Sequence, residues 1–145
     1  LITGLKEAVI DAIATDHAPH TLADKMCEFG LAAFGISGLE TAFSCLMSLV
    51  HDSKLELTTL VSKLTTEPAQ IIGNKLGELG TLNIGSQADI TLFDLNREWI
   101  VKINEFASKG KNTPFNGYQF KGKVMATIAG GKIVYKDDSV KVKQK

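Results

Sequence analysis

The sequence has no apolar run long enough to cross a bilayer. Stretches such as Leu46 to Val50 are broken within a few residues by Ser, His or Asp, against the roughly 20 residues a spanning helix needs. Neither sign of charge is in excess, since Lys+Arg and Asp+Glu both number 16, so no long-range field draws the chain to phosphate backbones or acidic membrane surfaces. Nucleic acid and membrane are therefore not expected partners. Cysteine is nearly absent. Cys27 and Cys45 stand far apart with no CxxC spacing, which argues against redox or zinc-knuckle chemistry and for reduced thiols in a cytoplasm. No Asn stands in a glycosylation context, because Asn112-Thr113-Pro114 fails the rule, and no basic segment followed by an apolar one opens the chain. That last absence carries little weight, because the first residue is Leu1 rather than Met.

What is present is the make-up of a folded domain: 145 residues, 44% hydrophobic and 22% charged, enough to bury a core. Val9-Ile10-Asp11-Ala12-Ile13-Ala14 is short and apolar and runs straight into polar turn residues, the pattern of a buried strand. Residues 15–37 lack a clear period and form a connection longer than most in compact domains, a length often tied to function. From Gly38 the residues Leu39, Ala42, Phe43, Leu46, Met47 and Val50 fall at helical spacing, predicting a helix that ends near His51. Thr58 or Thr59 is placed to cap a second helix with Leu60, Val61 and Leu64 on its apolar face, and Thr66-Glu67-Pro68 begins a third that Gly73 stops.

Beyond Leu76 the texture changes to Gly-punctuated extended runs at 88–93, 99–101 and 124–128, with Gly130-Gly131 set to turn a hairpin into Lys132-Ile133-Val134-Tyr135. The basic tail after Ser139 is expected to fray. An α/β portion, residues 1–74, is thus followed by a β portion, residues 75–145.

The chemistry concentrates in Ile13-Ala14-Thr15-Asp16-His17-Ala18-Pro19-His20. An Asp ends the expected strand and two His stand in the loop beyond, and in α/β folds polar residues just past the carboxyl ends of strands converge on the ligand. A carboxylate there can ligate a metal, exchange a proton with activated water, or do both. The same residues also suit a plain surface turn capped by Asp16 and stiffened by Pro19. Two His and one Asp do not complete a tetrahedral zinc site and there is no HExxH, so a metal would need ligands from elsewhere.

The run Ala14-Thr15-Asp16-His17-Ala18-Pro19-His20-Thr21, with Lys25, Glu28, Phe34-Gly35, Gly38-Leu39-Glu40-Thr41 and Lys109-Gly110-Lys111-Asn112-Thr113-Pro114-Phe115, closely resembles the carboxy-terminal region of bacterial dihydroorotases. Gly85-Ser86-Gln87-Ala88-Asp89-Ile90 also looks like a Gly-x-x-Ala-Asp-Ile/Leu segment found across the amidohydrolase superfamily. The resemblance implies the end of a metal-dependent TIM-like (β/α)8 barrel plus part of a small β-sandwich domain. It implies reversible cyclisation of N-carbamoyl-L-aspartate to L-dihydroorotate in pyrimidine synthesis, with Zn2+ as cofactor. Asp16 matches the zinc ligand and general base, His20 the residue that binds the substrate carboxylate, and Phe34 and Gly35 the loop pair that contacts substrate. Where the family usually has Pro before Phe-Gly this chain has Ala33, which implies a less stiff loop. His17 reads as structural.

A TIM barrel takes about 250 residues, and this sequence offers one barrel strand, so it cannot close one. The family's early His-x-His pair, carboxylated Lys and other His ligands are absent, so the chain alone is expected to be inactive. Two other readings remain: an allantoinase- or hydantoinase-like enzyme, against which His20 and Phe34-Gly35 speak, and a non-catalytic dihydroorotase-like scaffold, against which retention of Asp16 and His20 speaks. The resemblance leaves room for a homo-oligomer or for a partner enzyme from pyrimidine synthesis.

Overall fold

A computed structural model describes residues 1–73, 75 and 77–141. Asn74 and Leu76, where the expected boundary between the two portions falls, and residues 142–145 of the basic tail lie outside the described residues. Five helices come first: α1 (Ile2–Lys6), α2 (Leu22–Lys25), α3 (Leu39–His51), α4 (Leu57–Leu64) and α5 (Thr66–Ile72). Three strands follow, β1 (Ile90–Ile100), β2 (Gln119–Ala129) and β3 (Lys132–Lys136), forming one antiparallel sheet in the order β1-β2-β3.

Helix α3 organises the rest. Its apolar period buries Met47 against Leu5, Leu55 and Leu60, with Ile10, Ile13 and Phe43 packed around them. One turn before Met47, Ser44 Oγ donates to Gly122 O of β2 at 2.6 Å, and Trp99 Nε1 of β1 donates to Ser44 Oγ at 3.1 Å. Gly122 has φ +96°, and a Cβ there would lie 3.0 Å from Met47 Cγ, so the helix touches the sheet where the strand has no side chain. A second apolar cluster of Val101, Phe106 and Phe120, flanked by Trp99, Cys45 and Phe115, sits beneath that contact.

Most expected elements form where the pattern places them, with three differences. The strand expected at 9–14 does not form. Ile10 and Ile13 do pack on the core, but Val9 is exposed, and the segment's link to the α4 backbone is Ile13 N–H to Lys63 O at 3.0 Å. A parallel strand exists only through a neighbour's ladder, and no described residue supplies one there; a single parallel bridge joins His17 to Ile36. Second, α4 starts at Leu57 with Glu56 before it, so Thr58 and Thr59 lie inside the first turn and cap nothing. Leu57 packs on the core and Leu60 is fully buried, which favours the earlier start. Third, the runs at 88–93 and 99–101 are one strand, β1, because Asp94 Oδ1 accepts from the N–H groups of Asn96 and Arg97 and absorbs an irregularity in register between Asp94 and Glu98.

The hairpin forms as expected. Gly130 and Gly131 have φ +54° and +76°, as a type I′ turn requires, and Ala129 pairs with Lys132. Asp89 Oδ1 accepts from Gly130 N–H at 2.7 Å, and Ala88 O accepts from Gly131 N–H at 3.0 Å. The conspicuous Ala88-Asp89 of the Gly-x-x-Ala-Asp-Ile segment therefore holds this turn.

Candidate active site

Asp16 sits between the core-packed segment and the long loop in a left-handed conformation, φ +45°. Asp tolerates that region better than most residues, at a cost on the order of 1 kcal/mol. Its side chain is exposed, and no hydrogen bond among the described residues engages the carboxylate. The segment behind it joins no barrel wall among the described residues, so this chain by itself does not surround Asp16 with a catalytic mouth.

The next residue faces inward. His17 Nδ1 accepts from the N–H groups of Gly38 and Leu39 at 3.2 and 3.3 Å, satisfying donors that helix α3 leaves open at its start. That puts the ring proton on Nε2, which reaches Ser108 Oγ at 3.4 Å. Glu40, in the first turn of α3, accepts from Ala107 and Ser108 N–H at 2.8 and 3.1 Å. His17 is thus structural, as its sequence context suggested, and it ties the segment carrying Asp16 to α3 and to the loop before β2.

His20, Phe34 and Gly35 come together. His20 Nε2 lies 2.8 Å from Phe34 O, so the ring donates there, and Phe34 is 92% exposed. Gly35 has φ +87°, and a Cβ on it would fall 2.5 Å from Ala18 Cβ, so this close approach admits only glycine. Lys25 Nζ donates to Ala33 O and Gly35 O. The departure at Ala33 has a counterpart in the backbone: its N–H donates to Asp24 O at 3.0 Å, a bond proline could not make. Helix α2 is fixed in turn by a capping box between Thr21 and Asp24, whose carboxyl the Thr21 hydroxyl and N–H hold below the usual range.

Sequence reasoning placed no site role on the loop at 109–115, yet it forms the floor of this cluster. Asn112 binds Ala18, His20, Gly35 and Ser37, Ser37 Oγ donates to Gly110 O at 2.8 Å, and Lys111 Nζ reaches Phe106 O and Ser108 O. Gly110 passes directly under Pro19. The signal was the likeness of this run to the dihydroorotase pattern, which reported position rather than purpose.

The described residues do not by themselves fit a zinc ion. Asp16 is a suitable carboxylate donor, but His17 Nδ1 and His20 Nε2 are engaged with backbone, and no three His, Cys, Asp or Glu among the described residues cluster as ligands. A cavity of about 580 Å³ opens elsewhere, between α3 and the sheet, beside Glu40, Trp99, Lys123, Tyr135 and Asp137. None of Asp16, His20, Phe34 or Gly35 lines it, and its Lys123 and Asp137 are already paired at 2.5 Å.

A helical portion carrying an Asp-His loop and leading into a small antiparallel β unit is what this chain holds, and the family model for the amidohydrolase family matches residues 1–134. The chain belongs to the amidohydrolase family. Within it, the chain is 50% identical over 139 residues to the dihydroorotase of Thermoanaerobacter sp. (strain X514), covering 95% of this chain and 31% of that protein. It is 48% identical over 135 residues to the dihydroorotase of Syntrophus aciditrophicus (strain SB), covering 93% and 31%. Among solved structures it resembles the L-hydantoinase (dihydropyrimidinase) from Arthrobacter aurescens, with a TM-score of 0.85 and 31% identity over 99% of this chain and 32% of that one. The chain thus spans about a third of the length of the relatives it matches.

Proposed function

We propose that this chain is the part of a cytoplasmic, zinc-dependent dihydroorotase that carries the general base and the substrate-carboxylate anchor. The reading rests on one juxtaposition: His20 bonded to Phe34 O, with Gly35 packed on Ala18, in the loops that follow Asp16. Asp16 takes a proton from the attacking water and returns one to the departing ring nitrogen. His20 binds the substrate carboxylate, and Phe34 and Gly35 close over the substrate, Gly35 allowing its backbone to approach. Zinc, with its other ligands outside this chain, would supply Lewis acidity toward the water and the amide carbonyl. The division at residues 74 and 75 separates the barrel portion from the β-sandwich portion.

The hydantoinase-like reading has the structural likeness to the Arthrobacter enzyme in its favour. The choice is tested by a protein of dihydroorotase length carrying this chain, assayed on dihydroorotate, hydantoins and allantoin. The reading expects dihydroorotate to be preferred, with the preference reduced in His20→Ala. Preference for a hydantoin lacking the carboxylate would reverse it.

A further inference from the structure

We propose that Asn112 is a positioning residue that sets the distance between the carboxylate anchor His20 and the Phe34-Gly35 pair. The inference deepens the dihydroorotase reading and rests on it for its kinetic expression. The Asn112 side chain is used on both sides. Oδ1 accepts from His20 N–H at 2.8 Å and lies 2.9 Å from Ser37 Oγ, whose one proton is shared between it and Gly110 O, while Nδ2 donates to Ala18 O at 2.9 Å and Gly35 O at 3.3 Å. A terminal amide has two donors and one oxygen with two lone pairs, so both its N–H groups and both its acceptor positions face a partner. Its backbone oxygen accepts a fifth, from Ser37 N–H at 3.0 Å.

These bonds close a circuit. The His20 backbone is held by Asn112, the His20 ring is held by Phe34 O, and Gly35 O returns to Asn112. The partners lie 75 to 94 residues away in sequence, so the circuit fastens the loops after Asp16 to a loop that precedes β2. Only Asn fits all four positions. Asp would keep the acceptor but set a carboxylate oxygen against the carbonyls of Ala18 and Gly35, and Ala would leave all four groups without this partner. None of the bonds reaches Asp16. Loss of Asn112 should therefore weaken substrate capture while sparing the proton transfer.

The test uses a protein of dihydroorotase length carrying this chain, with Asn112→Asp, Asn112→Ala, His20→Ala and the double variant His20→Ala/Asn112→Asp. Asn112→Asp is expected to raise KM for dihydroorotate on the order of tenfold while kcat stays within about threefold. In the His20→Ala background the same change should add less than about threefold, because the anchor through which it acts is already gone. Amide hydrogen exchange at His20 reads the same bond without substrate, and should speed up on the order of tenfold in Asn112→Ala. Asn112→Ala also serves for kinetics if Asn112→Asp does not fold. A parental KM in both single variants, a fall in kcat alone, KM effects that multiply in the double variant, or unchanged exchange at His20 would each overturn the positioning role. A parent that ignores dihydroorotate yet shows faster exchange in Asn112→Ala would instead remove the functional reading and leave the geometric role standing.

Discussion

Replacing Gly110 with Ala tests whether the loop before β2 sets the height of the site. A Cβ at Gly110 would lie 2.5 Å from Pro19 Cβ, 2.7 Å from Pro19 Cα and 2.9 Å from His20 N. Carbon atoms rest at about 3.5–4.0 Å, so the backbone at 19–20 must move by about 1 Å. Two of the three obstructing atoms are backbone and the third belongs to a rigid ring, which leaves no flexible side chain to yield. The cost should fall in the overpacking range of about 1–3 kcal/mol, and because the displaced residue is the proposed anchor, KM should rise. A 1 Å misplacement has cost about 10²-fold elsewhere, which bounds the effect from above. The assay is urea unfolding together with dihydroorotate kinetics in a protein of dihydroorotase length, with Gly30→Ala as control. A methyl group at Gly30 would meet nothing within 4 Å, so that change should alter stability by less than about 0.5 kcal/mol. Should Gly110→Ala unfold at the parental midpoint and bind substrate with parental KM, the idea that this loop supports Pro19 and His20 is wrong.

Asp16→Asn should lower kcat for dihydroorotate by about 10²–10⁴ while leaving secondary structure by circular dichroism unchanged; a variant of parental turnover would remove the general-base role. His17→Ala should cost about 1 kcal/mol in urea unfolding through loss of the α3 cap, with His17→Asn recovering part of it, and equal losses in both variants would contradict a capping role. Lys123, by bonding to Asp137 with help from Ser139, holds that carboxyl well below the usual carboxylate range. A carboxyl more acidic in the folded state adds stability that is complete above its unfolded value of about 3.9 and drains away as pH falls toward the folded one. Lys123→Met should therefore destabilise at neutral pH by about 1–3 kcal/mol and flatten the loss of stability below about pH 4; parallel stability–pH curves for parent and variant would count against it. The 145-residue chain on its own should bind zinc weakly and turn over no dihydroorotate, and calorimetry showing a tight stoichiometric site would contradict this.

Helix α3 was legible in the sequence because its apolar period is dictated by the core it packs on, and the hairpin because two adjacent glycines at positive φ have few other uses. The run at 9–14 pointed to a strand because apolar residues record burial, whereas a strand is defined by a ladder that other residues must provide. The join within β1 depends on one Asp side chain folding back on its own backbone, a local event that residue alternation does not encode. Among the candidate residues, His20, Phe34 and Gly35 were picked out by their likeness to a known pattern, and the structure brings them together. Asn112 escaped because its significance lies in four partners at the far end of the chain, and an Asn before Thr-Pro reads as an ordinary turn.

The bond from Asp89 to the amide of Gly130 has an implication for how such proteins are recognised. The stretch that resembles a segment found across a whole superfamily is a joint that keeps one bend in shape, and the bonds it makes there go to that bend. A search keyed to it would gather proteins by carpentry, and enzymes that kept the joint while exchanging every reactive group would answer to the same signature.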